Sequence, residues 1–210
     1  MSNRRALIVI DVQNEYVTGN LPIEFPDIHL SLANIGKAMD AAKAAGIPII
    51  VVQQFAPAGS PVFAQGSAGW DLHEVVRTRT RDHYFEKKLP SAFAGTNLAD
   101  WLSERQIDTL TVVGYMTHNC DDSTIKHAFH AGLAVEFLSD AAGSLPYLNK
   151  AGAASAEEIH RTFSIAMQAR FAAVMGTEEW TKLLRTNSVA ERDNLFLSNQ
   201  RARAARVNKC

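Results

Sequence analysis

Five short apolar runs, rich in β-branched residues and lacking polar alternation, recur at residues 6–10, 47–52, 109–113, 134–138 and 171–174. Strands with one wet face alternate, whereas continuous apolar runs suit strands covered on both faces, as in a parallel sheet between two helical layers. The segments between them read as helices. Residues 30–45 place apolar side chains at helical spacing and stop at Gly46, just before Pro48, where a helix-ending glycine belongs. Residues 97–105, residues 118–131 closed by Gly132, and residues 155–169 follow the same pattern, with Ser155 and Glu158 spaced as a capping box. The pattern predicts an α/β fold with a doubly wound, mainly parallel sheet and helices on both faces.

Two segments break this rhythm. Residues 53–70 contain no charged side chain, two prolines and three glycines, a stretch too long for a plain connector and suited to a lid or binding loop. Beyond residue 184 the chain is polar apart from Leu195-Phe196-Leu197, and it carries the basic run Arg201, Arg203, Arg206 and Lys209. We therefore expect one domain over residues 1–185 and a basic tail over 186–210, flexible or docked on a partner subunit. With 210 residues, 47% of them hydrophobic, one core suffices without disulfide or metal staples. A net charge of −1 offers no field to attract nucleic acid or an anionic membrane. The N-terminal apolar run of five residues is too short for a signal peptide or membrane span. The expected partner is a small molecule and the expected location cytoplasmic. Two cysteines, Cys120 and Cys210, cannot make a disulfide framework and suit a reducing compartment.

Ligands of open α/β sheets bind at the carboxyl ends of the strands. Three reactive residues fall there: Asp11 after the first run, Lys87 after His83-Tyr84-Phe85, and Cys120 after Thr111-Val112-Val113-Gly114. Taken singly, these could be a helix cap, a solvated charge and a small core residue. Cys120 lies off the helical stripe of Ile125, Ala128, Phe129 and Gly132, so it is expected outside the core and in a first helical turn. There the helix dipole lowers a thiol pKa. Asp121 and Asp122 would oppose that effect, and a cation such as Lys87 would have to outweigh them. A metal on His118, Cys120, His127 and His130 fits poorly, since Cys120 and His127 stand about 10 Å apart along a helix. No nucleophile elbow, phosphate loop or dinucleotide fingerprint occurs.

Four stretches together resemble the isochorismatase-like cysteine hydrolases, a family that includes nicotinamidases and N-carbamoylsarcosine amidohydrolases. They are Asp11-Val12-Gln13-Asn14, Lys87 through Ser91-Ala92-Phe93-Ala94-Gly95-Thr96, Val113-Gly114-Tyr115-Met116-Thr117-His118-Asn119-Cys120, and Phe137-Leu138-Ser139-Asp140-Ala141. The resemblance implies a catalytic triad of Asp11, Lys87 and Cys120, with Lys87 rather than Lys88 as the lysine. It implies a cis peptide at Tyr115–Met116 and an oxyanion hole from the backbone N–H groups of Met116 and Cys120. Such an enzyme needs no cofactor, passes through a thioester, and commonly assembles as a homodimer or homotetramer. The Leu195-Phe196-Leu197 cluster would then anchor the tail on a neighbouring chain. The metal motif of nicotinamidases is replaced by Gln53-Gln54-Phe55, so no catalytic metal is expected. Isochorismatases proper lack the cysteine, which turns the expectation away from vinyl-ether hydrolysis.

The resulting expectation is a hydrolase of a C–N bond in a small amide. Phe55, Phe63 and Trp70 of the uncharged loop, with Tyr16 and Phe93, would wall the pocket, and Gln13 and His83 would offer polar contacts. Two alternatives keep the fold: a hydrolase of a cyclic or secondary amide such as a streptothricin-type lactam, and a non-catalytic or redox-responsive binding protein.

Overall fold

A computed structural model describes residues 4–186 and 188–207. The chain opens with β1 (Arg5–Ile10), α1 (Ile28–Ala44), β2 (Ile49–Gln54), α2 (Glu74–Arg77) and β3 (His83–Lys87). Then come α3 (Leu98–Glu104), β4 (Thr109–Tyr115), α4 (Asp122–His130) and β5 (Ala134–Gly143). The hairpin strands β6 (Tyr147–Asn149) and β7 (Gly152–Ala154) precede α5 (Ala156–Gln168) and β8 (Ala173–Met175). Two helices, α6 (Thr177–Thr186) and α7 (Leu195–Val207), close the chain.

Six strands pair in the order β3-β2-β1-β4-β5-β8, and every pairing is parallel. All six residues of β1 are buried, because successive side chains point to opposite faces and each face is covered. Leu7 and Val9 enter the core that Ile35 and Met39 of α1 and Trp180 of α6 complete. Ala6, Ile8 and Ile10 enter the opposite core, with Leu98 and Trp101 of α3, Ile125 and Ala128 of α4 and Met167 of α5. The expected doubly wound fold is therefore present. Strand order reverses between β1 and β4, which puts a topological switch point beside the ends of both strands.

At Gly114, in β4 at φ 122°, an added Cβ would lie 2.1 Å from the Ile10 carbonyl oxygen, so β4 approaches the end of β1 more closely than any side chain permits. Ser155 and Glu158 form the expected capping box of α5. In the amino-terminal part of the sheet a buried network joins four elements, β1, β4, β5 and α6. Arg5 and Glu136 form an ion pair at 2.9 Å, and Glu136 also accepts from Thr111 Oγ1 at 2.7 Å and from Trp180 Nε1 at 2.9 Å.

One local expectation needs correction, and a hairpin and a tail helix add structure beyond the sequence reading. The segment 118–131 is not one α-helix, since Thr117–Asp121 forms a wider π-type turn ahead of α4. The hairpin β6–β7 carries no five-residue apolar run and was not anticipated. The tail is not featureless: Asn194 Oδ1 accepts from the Leu197 amide at 2.9 Å and starts α7. Cys210 and Lys209 lie outside the described residues, as does the side chain of Arg206.

Candidate active site

The three reactive residues come together at the carboxyl edge of the sheet. Asp11 directly follows β1 with φ 52°, a left-handed backbone that Asp tolerates better than most residues. Lys87 ends β3 and reaches across the end of β2. Cys120 sits in the π turn after β4. Lys87 Nζ meets Asp11 Oδ2 at 2.6 Å, with both side chains fully buried, as an ion pair off the hydrogen-bonding direction of the carboxylate. The same ammonium donates to Cys120 Sγ at 3.2 Å and to Gln54 Oε1 at 2.7 Å. Two of its protons thus find acceptors, while its charge faces the carboxylate. Gln54, at the end of β2, entered the sequence reading only as part of the stretch that replaces a metal motif, with no role of its own.

Burial dominates the electrostatics. It raises the Asp11 pKa, and the nearby Lys87 charge pulls it partly back. It works against the Lys87 ammonium, yet Asp11 and Cys120 together hold that lysine above its ordinary value. The Cys120 thiol is pushed well above its usual range, first by burial and then by the Asp11 charge, with Lys87 offsetting part of the rise. This corrects two expectations. Cys120 is 4% exposed and packs in the core with Ile125 and Ala128, and its thiol is raised rather than lowered. The helix-dipole argument assumed an exposed first turn; the π turn instead draws the sulfur inward, where desolvation outweighs the dipole. Asp121 is also fully buried, neither carboxyl oxygen has a hydrogen-bond partner among the described residues, and burial raises its pKa well above the usual range. Burial thus favours its neutral form, and Asp121 is not among the groups that shift the Cys120 thiol.

The Tyr115–Met116 peptide bond is cis, and Met116 leads into the π turn that carries Cys120. The aromatic residues divide. Phe93 packs in the Cys120 core and stacks on His127 at 4.6 Å. The Phe55 amide donates to the Lys87 carbonyl at 2.9 Å, which places it beside the triad. Tyr16 is 1% exposed and lies against Phe63 and Tyr115, so it packs beneath the site rather than forming an open wall. Trp70 is half-buried, and its carbonyl accepts from both Gln13 Nε2 and Gln53 Nε2 at 2.7 Å. Gln13 also receives the Gln54 amide at 2.8 Å. With its amide engaged on both sides, Gln13 clamps the uncharged loop to the sheet. Glu15 adds to the clamp, accepting from the Phe63 and Asn20 amides.

His83 is the clear misplacement. It begins β3 while Lys87 ends it, about 13 Å apart at 3.3 Å per residue, and it stacks on Trp101 of α3 at 5.0 Å. In its place the structure supplies His118 and Tyr147. His118 Nε2 lies 2.9 Å from the Tyr147 hydroxyl and its Nδ1 lies 3.0 Å from Ser144 Oγ. Burial takes the His118 pKa down to about 4, so the ring is neutral at pH 7. Burial raises the Tyr147 phenol above its ordinary value. Tyr147 escaped notice because the hairpin that presents it has no strong strand pattern. Among the described residues, no three His, Cys, Asp or Glu side chains are grouped to hold a metal ion, and no helix is long and apolar enough to cross a membrane.

A family model, the isochorismatase domain, matches residues 5–179. The chain belongs to the isochorismatase family. It is a hydrolase of that family, and the non-enzymatic alternative falls with the assignment. A crystal structure from Burkholderia xenovorans LB400, solved under the isochorismatase designation, superimposes with a TM-score of 0.98 at 67% identity, covering 99% of this chain and 100% of that one. The Bacillus subtilis isochorismatase family protein YddQ is 28% identical over 84% of this chain and 98% of its own length. The ureidoacrylate amidohydrolase RutB of Agrobacterium fabrum is 27% identical over 65% of this chain and 74% of its own length.

Proposed function

We propose that the protein hydrolyses a C–N bond of a small, neutral amide through a thioester on Cys120, with Asp11 as base and acid and Lys87 as the stabilising cation. One observation carries the reading: a single buried ammonium touches both a carboxylate, at 2.6 Å, and a thiol, at 3.2 Å. Kinship with an amidohydrolase supports the amide as the bond class.

In the resting state the Asp11–Lys87 ion pair stands beside a protonated thiol, so the nucleophile is made as it is used. Asp11 takes the thiol proton while Sγ bonds to the amide carbon and the carbonyl electrons move to oxygen. The backbone N–H groups of Met116 and Cys120 receive that oxyanion. On collapse the C–N bond breaks, protonated Asp11 returns the proton to the departing nitrogen, and ammonia or an amine leaves a thioester. Water, deprotonated by Asp11, attacks the thioester carbon. The acid is released and the Cys120 thiolate, held by Lys87 as it departs, regains a proton from Asp11. The loop wall of residues 53–70 carries no charge, which favours a neutral substrate over a multiply charged one, since unpaired charge is costly to desolvate.

Release of ammonia or amine across a panel of primary amides, ureides and lactams, with wild type beside Cys120→Ala, tests the reading. Turnover abolished by Cys120→Ala supports it. Turnover that survives the substitution removes Cys120 as nucleophile, and turnover confined to lactams moves the substrate to the cyclic class.

A further inference from the structure

We infer that α7 is an exchange arm that docks on a second copy of this chain. Its root is fixed to its own body. Ala190 is buried in the core, the Arg192 guanidinium lies 5.8 Å from the centre of the Phe129 ring and donates to the Arg170 carbonyl, and Arg5 donates to the Ser188 carbonyl. Beyond this anchor the helix leaves the body. From Leu195 to Ala205 every side chain is exposed except the half-buried Ser198. Leu195, Phe196 and Leu197 are 52%, 68% and 48% exposed.

A helix packed on its own domain hides one stripe; this one hides none. A 13-residue helix without tertiary packing is marginal in water, because the nucleation cost is barely recovered over so few residues. Yet the chain invests in starting it, with the Asn194 side chain capping the Leu197 amide and Arg201 paired with Asp193. A fixed root, a built cap and three consecutive exposed apolar side chains describe a segment whose packing partner lies on another molecule.

Charge complementarity favours this same chain as the partner. All 22 acidic residues precede Asn194, whereas residues 194–210 contain four basic residues and no acidic one. The arm thus carries +4 and the remainder −5, so each copy offers a basic arm and an acidic body. Two copies related by a two-fold axis satisfy both at once, each arm lying on the other's body, and the arrangement closes without leaving a free arm. The Burkholderia structure covers 99% of this chain, so the arm is part of the architecture shared with that relative.

The test combines light-scattering mass with amide hydrogen exchange on the full-length chain and on Phe196→Asp/Leu197→Asp. At micromolar concentration the full-length chain should show at least twice its 23.0 kDa chain mass, with α7 amides protected. In the double variant α7 should lose protection while the sheet amides keep theirs, and the mass should fall if the arm is the main contact. A full-length chain running at its own mass overturns the proposal. So does an oligomer whose α7 amides exchange like those of a free peptide, or a double variant that keeps both mass and α7 protection.

Discussion

Asp11→Asn should move the reactivity of Cys120 and the turnover of the enzyme in opposite directions. Asn keeps the shape of the side chain and removes its charge. At 3.2 Å from the sulfur and an effective dielectric of about 20, the Lys87 ammonium favours a thiolate by about 5 kcal/mol, or about four pH units. In the wild type the Asp11 carboxylate opposes that effect and more, and with burial it leaves the thiol raised. Neutralising Asp11 leaves the lysine unopposed. If only a quarter of its field acts on the thiol, the pKa falls by about one unit and the thiolate fraction at pH 7 rises about tenfold. Alkylation of Cys120 by iodoacetamide, followed by intact mass, should therefore quicken at least that much. Turnover should fall about 100- to 10,000-fold, since no group remains to take the thiol proton and return it to the leaving nitrogen. If alkylation slowed together with turnover, Asp11 would be supporting the thiolate rather than opposing it, and the charge order of the site would be wrong.

Tyr147→Phe removes the hydroxyl paired with His118, two residues before Cys120 in the chain. The loss of about one hydrogen bond, 1–2 kcal/mol, should lower kcat/KM about 5- to 30-fold, and unchanged kinetics would show that the hydroxyl does not meet substrate. Glu136→Ala strips Arg5, Thr111 and Trp180 of their shared buried acceptor. It should cost about 3–5 kcal/mol in denaturant unfolding while leaving activity per folded molecule intact; a loss under about 1 kcal/mol would mean the network is dispensable. His160, 5% exposed and bonded to Thr117 Oγ1 at 2.9 Å, has its pKa lowered by burial from 6.5 to about 4. Between those values the unfolded chain binds a proton that the folded chain refuses. The stability is thus complete above pH 6.5 and falls as pH drops toward 4, by up to about 3 kcal/mol. His160→Gln should flatten that part of the acid unfolding profile, and an unaltered profile would place the acid sensitivity elsewhere.

The sheet was legible because both of its faces are covered, which leaves unbroken apolar runs such as residues 6–10 and 109–113. The meeting of Asp11, Lys87 and Cys120 was legible because all three lie at or beyond strand ends and recur in a family pattern. What the sequence concealed depends on depth and direction. Helical periodicity put Cys120 off the apolar stripe, but a π turn changes the angle per residue and turns the sulfur inward. His83 and Lys87 share one short strand, so nearness in sequence hid the length of that strand between them. Gln13 read as a polar contact, and its bonds to Gln54 and Trp70 appear once the loop is folded back. Short strands such as β6 and β7 carry too few residues to show a period, and Tyr147 was hidden with them.

The raised thiol of Cys120 has a consequence for how the enzyme endures between substrates. Peroxide and other oxidants attack thiolates far faster than thiols, and reach exposed sulfur sooner than buried sulfur. A nucleophile that rests protonated and 4% exposed offers them little. On the proposed mechanism its exposure to oxidation is confined to the brief interval when the thioester breaks and the thiolate departs, so an idle enzyme ages more slowly than a working one.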